Sequence, residues 1–439
     1  MKAPAMAYET EYAQHQLPNG MRVVTASRPW SRTFAATLGF RVGWRDEPAP
    51  QAGITHLLEH LAFCGANRQL AEQFGTQGLY VNGQTAYEQT HFILSGHAGL
   101  LPGALQFFAN VLAGIKADAA TIAEEIPILG HELAAVEESP MDLEMRKLTA
   151  RIIGDKNFGR PVLATLKGLR KIKPEGLQNF HREWFSPANA TLTLVSPAAP
   201  TEALALAEKC LGAVPFRPAP QPARNSDPMQ LPPLLAIQGG GAYVMIVILH
   251  PFRPADLHPL HALIMLSDVL GGGPHSALFR TVRQAERLAY SVGSNVTRMS
   301  DCSILDVFAM VQRRDISRAL GMMLETLNRL AAQGLDPQVF EEARQRLIRS
   351  LDIFEDNPLD LCNFLAFSPV DQDVFSATPR HYRAQLEAFT REPANAIAAD
   401  VLKPERRVCV LLGPAGFLTR WRAKRVLAAQ HASRLKAEG

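Results

Sequence analysis

Apolar and polar positions alternate around β-branched residues in MRVVTASRP (21–29) and again in TFAATLGFRVGW (33–44). A period of two marks a half-buried strand, so the pattern predicts two strands with a turn at Pro29 and Ser31. From about Gly53 to Phe63 the period lengthens to that of a helix, and Gly65 closes the run. VNGQTAYEQTHFILSG (81–96) returns to strand character, with Asn82-Gly83 as the expected bend. Helices are predicted at roughly 100–115 and 118–138. A mostly helical stretch, interrupted near Gly154 and Gly159 to Pro161, runs from 140 to 185 and leads to a strand at ATLTLVSP (190–197).

VPFRPAPQPARNSDPMQLPP (214–233) is too rich in proline for a regular element, because proline fixes φ and has no N–H to donate. It reads as an extended linker. Beyond it AYVMIVILH (242–250) is strongly β-prone, and strands and helices resume in the earlier order. The recurrence has a register. EESPMDL (137–143) matches EDNPLDL (355–361) at a displacement of 218 residues, Asp118 falls on Asp336 at the same displacement, and Ala104-Leu105 resembles Ala319-Leu320. That spacing is close to half of the 439-residue chain. The joint register predicts a duplicated α+β fold of two similar halves, each an antiparallel-type sheet packed with helices. The expected boundaries are 1–213 for the first domain, 214–233 for the linker and 234–439 for the second domain.

Composition narrows the function classes. Hydrophobic residues make up 47% and charged residues 20%, a soluble globular balance. A net charge of +3 is too mild for a nucleic-acid footprint. No uninterrupted apolar run reaches the length of about 18 residues that a membrane span needs. The amino-terminal stretch carries acids early and has no apolar core of signal-peptide length. Neither nucleic acid nor a membrane is therefore expected as a partner, and the expected location is cytoplasmic. Cys64, Cys210, Cys302, Cys362 and Cys409 show no CxxC spacing and read as reduced thiols. FLTRWRAKRVLAAQHASRLKAEG (417–439) is basic and helical in pattern, and reads as a solvated terminal helix.

Within the helix predicted at 53–63, His56, Glu59 and His60 stand among apolar residues. Positions i, i+3 and i+4 share one helix face, so two imidazoles one turn apart can bind a single tetrahedral Zn²⁺. The glutamate between them is placed to act on a water beside the metal. This HxxEH order is the inverzincin signature. The alternative is an ordinary helix with His, Glu and His on its wet face. A catalytic zinc also needs a third ligand and an open position. AEEIPILGHELAAVEESP (123–140) offers Glu132 as that ligand and Glu125, seven residues earlier on the same face, as a carboxylate orienting a histidine. His131 competes with Glu132, although it points about 100° away round the helix. The duplication favours the glutamates. At the displacement of 218, Glu132 falls on Ser350 and Glu125 on Ala343, and the second half has no HxxEH. The scaffold is repeated and the polar set is not.

HLLEH, the Glu125…Glu132 pair and the following EESPMDL resemble the pitrilysin-like zinc peptidases, the group of insulin-degrading enzyme and mitochondrial processing peptidase. GRPVLATLKGLRKI (159–172) resembles that family's stretch after its zinc-binding helices. LGGGPHSALFRTVRQAERLAYSV (270–292) is similar to the glycine-rich turn and Arg…Tyr element of its second half. The length matches the smaller bacterial two-domain branch. The resemblance implies a mitochondrial-processing-peptidase-like duplicated fold, one zinc per chain held by His56, His60 and Glu132, and Glu59 as general base. It implies Arg283 and Tyr290 as a catalytic pair contacting substrate, where the residues alone suggest a helix-to-strand junction. It also implies that substrate lies on an edge strand carrying Asn82 and Thr85.

The expected activity is thus a zinc-dependent endopeptidase cleaving peptides or unfolded segments inside a dimer chamber. A homodimer is expected. The alternatives are the zinc-bearing subunit of a heterodimeric processing peptidase with a dedicated precursor peptide, and a non-catalytic core or assembly subunit. Two departures from the family stand out. The interval from His60 to Glu132 is 72 residues, a few shorter than usual, and Arg287 stands where small members usually have glycine.

Overall fold

The computed structural model describes residues 9–115, 117–137, 147–151, 166, 168–222, 233–252, 259–367 and 378–438. The EESPMDL residues after Glu137, the interruptions expected near Gly154 and Gly159 to Pro161, and most of GRPVLATLKGLRKI lie outside these described residues. By their backbone contacts the described residues fall into two compact units. One takes those within 1–138, 160–223 and 351–382, and the other takes those within 139–159, 224–350 and 383–439.

The strands are β1 (Glu11–Gln16), β2 (Arg22–Ser27), β3 (Thr33–Phe40), β4 (Tyr80–Thr85), β5 (Thr90–His97), β6 (Ala190–Ser196), β7 (Leu234–Gln238), β8 (Tyr243–Phe252), β9 (Ala289–Arg298), β10 (Ser303–Gln312) and β11 (Val408–Gly413). The helices used below are α1 (Ile54–Leu61), α2 (Ala66–Thr76), α3 (Leu101–Ala113), α4 (Ala119–Glu137), α5 (Pro174–Trp184), α6 (Pro200–Leu211), α7 (Leu260–Gly271), α8 (Ile316–Gln333), α9 (Pro337–Asp356) and α10 (Pro358–Ala366).

In the first unit the strands form one sheet in the order β1-β2-β6-β3-β5-β4. Neighbours are antiparallel except β2 and β6, which run parallel. The turn expected at Pro29 and Ser31 is present, with Ser31 N donating to Arg28 O at 2.8 Å. The strands that it joins are separated by β6. β3 and β6 are almost continuously buried, as strands covered on both faces must be. On one face the side chains of Phe34, Phe92, Phe107 and Phe108 form the centre of a large apolar core with Leu57 and Leu58 of α1. On the other face Leu361, Cys362 and Leu365 of α10 pack on Val24, Ala35 and Val195.

The division at 214–233 needs correcting in two places. Helix α10, far beyond the proline-rich segment, belongs by its contacts to the first unit. The described part of that segment, 214–222, is irregular as its prolines dictate, but it is fastened down rather than free. Arg217 Nη2 donates to Leu112 O at 3.0 Å and to Phe185 O at 3.2 Å, and Ser186 Oγ donates to Pro218 O at 3.1 Å. Residues 223–232 lie outside the described set.

In the second unit the order is β7-β11-β8-β10-β9, with β7 and β11 parallel and the other pairs antiparallel. Replacing β7, β11, β8, β10 and β9 by β2, β6, β3, β5 and β4 reproduces the first sheet without its extra β1. The duplicated halves are therefore mixed sheets with one parallel pair each, rather than purely antiparallel ones. The register read from sequence has a physical basis at the caps. Asp118 Oδ1 accepts from Thr121 N at 2.8 Å at the start of α4, and Asp336 Oδ1 accepts from Gln338 N at 2.8 Å at the start of α9. Each satisfies an amide that the helix itself leaves without a partner.

Candidate metal centre

Helix α1 begins at a junction that fixes where its side chains point. Gly53 takes φ 91° just before the first turn, in the left-handed region that glycine enters without a Cβ clash. The Glu47 carboxylate, only 4% exposed, accepts from Gly53 N at 2.6 Å and from Thr55 N at 3.0 Å. An anion at the positive end of the helix stabilises its first turn. Ile54, Leu57, Leu58 and Leu61 are buried in the core. With that face spent on packing, His56, Glu59 and His60 share the other one, towards α4 and β4.

The two imidazole rings lie 4.9 Å apart, centroid to centroid. Donor atoms of His56, Glu59 and His60 come within 4.8 Å of one another. Glu132 on α4 comes closer still to both rings, its Oε2 standing 3.2 Å from His60 Nε2 and 3.7 Å from His56 Nε2. Glu59 Oε2 is 3.9 Å from His56 Nε2 and already accepts a hydrogen bond from Thr85 Oγ1 at 2.8 Å. Tetrahedral zinc with ligands at about 2.0–2.2 Å needs ligand atoms roughly 3.3–3.5 Å apart. The two Glu132 distances bracket that spacing, whereas Glu59, 3.9 Å from His56, lies beyond it. The imidazoles are only 18% and 14% exposed, whereas the Glu132 side chain is 54% exposed, which leaves the centre open towards solvent. Burial, with His60 adding to it, lowers the His56 pKa to about 4. At neutral pH His56 is therefore an uncharged ring with a lone pair to give, as metal ligation requires. His131, the competing ligand, is exposed.

Burial raises the pKa of Glu59, against the lowering effect of the Thr85 hydrogen bond and of His60. A carboxylate so desolvated is suited to take up a proton. Its place is kept by a vacancy on β4. A Cβ on Gly83 would lie 2.3 Å from Glu59 Oε1 and 2.8 Å from its Cδ and Cγ. Asn82-Gly83 is thus not the bend that the dipeptide suggests. Both residues lie within β4, and the chain turns afterwards, where Ala86 N donates to Gln89 O at 2.7 Å. β4 is the last strand of its sheet. Gly83 and Thr85 face Glu59, so Asn82, which is exposed, projects from the opposite face of the strand.

Glu125, one of the buried residues of α4, spans two partners. Its Oε2 stands 3.5 Å from His60 Nδ1 and its Oε1 accepts from Cys64 Sγ at 3.2 Å. Burial, then the contact with Glu125, pushes the Cys64 thiol up to about 11, so that it stays protonated at neutral pH. Gly83 and Cys64 are site residues that sequence reasoning missed. Gly83 was hidden by a turn signal, and Cys64, one turn after His60, had only its helical spacing to point to it.

The second unit carries the counterpart of this scaffold without its donor set. Ala343, which matches Glu125, is wholly buried, and Ser350, which matches Glu132, donates Oγ to Leu347 O at 2.7 Å. Where α1 and α4 face each other through the histidines and glutamates, α7 and α9 are joined by Arg346 Nη2 and Asp268 Oδ2 at 2.7 Å. No cluster of three metal-binding side chains occurs there among the described residues. Arg283 lies on the short helical segment Phe279–Ala285, its guanidinium 4.9 Å from the Phe279 ring centroid. Tyr290, 69% exposed on β9, lies near Tyr243, ring centroids 6.2 Å apart. Between them Arg287 has φ 54°, the one non-glycine residue with positive φ among those described. That backbone explains why glycine would suit the position. None of the helices among the described residues is long and apolar enough to cross a membrane.

Comparison with known proteins gives this geometry a setting. Residues 22–166 match the family model described as insulinase (peptidase family M16), and residues 171–347 match the model described as the peptidase M16 inactive domain. An uncharacterized zinc protease of Mycobacterium leprae is 25% identical over 411 residues, covering 91% of each chain. A crystal structure of a protease from Helicobacter pylori superposes with a TM-score of 0.81 at 16% identity, covering 92% of this chain and all of that one. Pitrilysin shares the fold with a TM-score of 0.76 at 18% identity, covering 96% of this chain and 49% of pitrilysin.

Proposed function

The chain belongs to the M16 peptidase family, the insulinase and pitrilysin group, and from that premise we propose that it is a zinc-dependent endopeptidase acting on peptides or unfolded segments. The observation that carries the reading is the approach of Glu132 Oε2 to both imidazole Nε2 atoms, at 3.2 and 3.7 Å. His56, His60 and Glu132 would hold the ion. Bound there, zinc would supply Lewis-acid activation of a water and of the scissile carbonyl.

The remaining chemistry belongs to the chain. Glu59, desolvated and aimed by Thr85, removes a proton from the attacking water and returns it to the leaving amine. Glu125 holds the His60 ring by its Nδ1 edge. A peptide adds to the outer edge of β4 as a further strand, so recognition runs through backbone hydrogen bonds with limited demand on sequence. Arg283 and Tyr290, exposed on the second unit, are assigned to substrate contact by family membership, and pairing of two chains would enclose the reaction.

Glu59→Gln tests the assignment. The variant is expected to keep about one zinc per chain while peptide cleavage falls by a factor of about 10²–10⁴, the range for loss of a general base. Cleavage at the parental rate would remove Glu59 from its role.

A further inference from the structure

Cys64 is the nearest side chain to the metal centre that the reaction above leaves unused. It lies one turn beyond His60, with Sγ 3.2 Å from Glu125 Oε1 and 3.7 Å from the His60 carbonyl oxygen. A thiol has one proton to give, and the closer acceptor is a carboxylate, so S–H is donated to Glu125. The sulfur in turn accepts from Arg68 Nη2 at 3.9 Å. The other Glu125 oxygen, Oε2, faces His60 Nδ1 at 3.5 Å. One oxygen of this buried carboxylate thus accepts from the thiol while the other stands against the His60 ring, so the thiol sets how the carboxylate is turned.

We infer that Cys64 is a positioning residue of the metal centre, locking Glu125 so that Glu125 stays against the Nδ1 edge of His60 and the ring stays turned with Nε2 towards Glu132. The part of this inference that concerns metal affinity rests on the zinc reading above; the part that concerns the placing of Glu125 and His60 does not. Glu125 is only 8% exposed. Without the thiol its Oε1 would be left buried without a donor, and a buried acceptor turns to find one. Rotation of the carboxylate would carry Oε2 away from Nδ1 and free the ring to turn. A serine hydroxyl can donate to the same oxygen, whereas alanine and valine cannot.

The test compares the wild type with Cys64→Ala, Cys64→Val and Cys64→Ser. Zinc affinity is measured by competition with a chromogenic chelator, and the Glu125 and His60 side chains are compared in crystal structures of the metal-free chains. Cys64→Ala and Cys64→Val are expected to weaken zinc binding about tenfold, the lower end of the range for an outer-layer partner of a ligand. Cys64→Ser is expected to recover most of that loss. In the metal-free Ala and Val chains the Glu125 carboxylate should turn from its wild-type position and the His60 ring with it, and both should return in Ser. Equal affinity in all four chains, or unchanged Glu125 and His60 side chains in both Ala and Val, would overturn the positioning role and leave the zinc reading intact. A wild-type chain that took up no zinc would overturn the zinc reading instead, and the metal-free structures would still decide the role of Cys64.

Discussion

Gly83 and Glu59 fit against each other with no room for a Cβ: one placed on Gly83 would come within 2.3 Å of Glu59 Oε1. The contact joins the edge strand to the proposed general base, so a change on β4 should reach the chemistry without touching the metal ligands.

Gly83→Ala is expected to push the Glu59 carboxylate out of reach of Thr85 and off its line to the water. Zinc content should stay at the wild-type level, while kcat falls by a factor of about 10²–10⁴, the range for loss of a positioned proton acceptor. Parallel metal analysis and peptide-cleavage kinetics check this. Wild-type kcat in the alanine variant would show that the position of Glu59 is not what matters.

Arg287 should behave in the opposite sense to most arginine-to-glycine changes. Its φ of 54° costs a residue with a Cβ about 1–2 kcal/mol, and glycine adopts it freely. Glycine also loosens the unfolded chain, by about 0.5–1 kcal/mol. Arg287→Gly is therefore expected to leave stability unchanged or raise it by up to about 1.5 kcal/mol. Urea denaturation checks it, and a loss of more than about 1 kcal/mol would place the strain elsewhere.

Acid should destabilise the first unit through His91. The ring is stacked on Phe367 with centroids 4.0 Å apart, and burial lowers its pKa from 6.5 to about 3. Below pH 6.5 the unfolded chain takes a proton that the folded chain refuses. The contribution is therefore intact above 6.5 and lost progressively as pH falls towards 3. At pH 5 His91 alone accounts for about 2 kcal/mol. His91→Gln should flatten the fall in stability between pH 7 and 5 by that amount, as read from urea midpoints at both values. An identical pH slope in the variant would contradict it.

What could be read from the sequence was what short-range physics writes there. Strand and helix periods located β2, β3, α1, α3, α4, β6 and β8, and two aspartates capping equivalent helices made the duplication visible as Asp118 over Asp336. HxxEH announced itself because one helical turn brings its three side chains together. The misreadings arise where distant chain decides. Asn82-Gly83 has the composition of a turn, yet its glycine answers to Glu59 on another element. Thr85 was placed rightly on an edge strand, but its hydroxyl is taken by the Glu59 carboxylate. Nothing local to α10 says that Leu361, Cys362 and Leu365 will cover the outer face of the first sheet. Nor does a proline-rich run disclose that Arg217 will fasten it to Leu112 and Phe185. The exchange of the His–Glu set for the Asp268–Arg346 pair likewise needs both helices in view.

X-ray absorption at the zinc edge of the purified protein tests the central claim most directly, because it reports the atoms around the ion. The account predicts about one zinc per chain, with two imidazoles and carboxylate or water oxygen at about 2.0–2.2 Å, and loss of a protein oxygen in Glu132→Ala. A sulfur neighbour at about 2.3 Å, a shell without imidazole, or a spectrum unchanged by Glu132→Ala would contradict it.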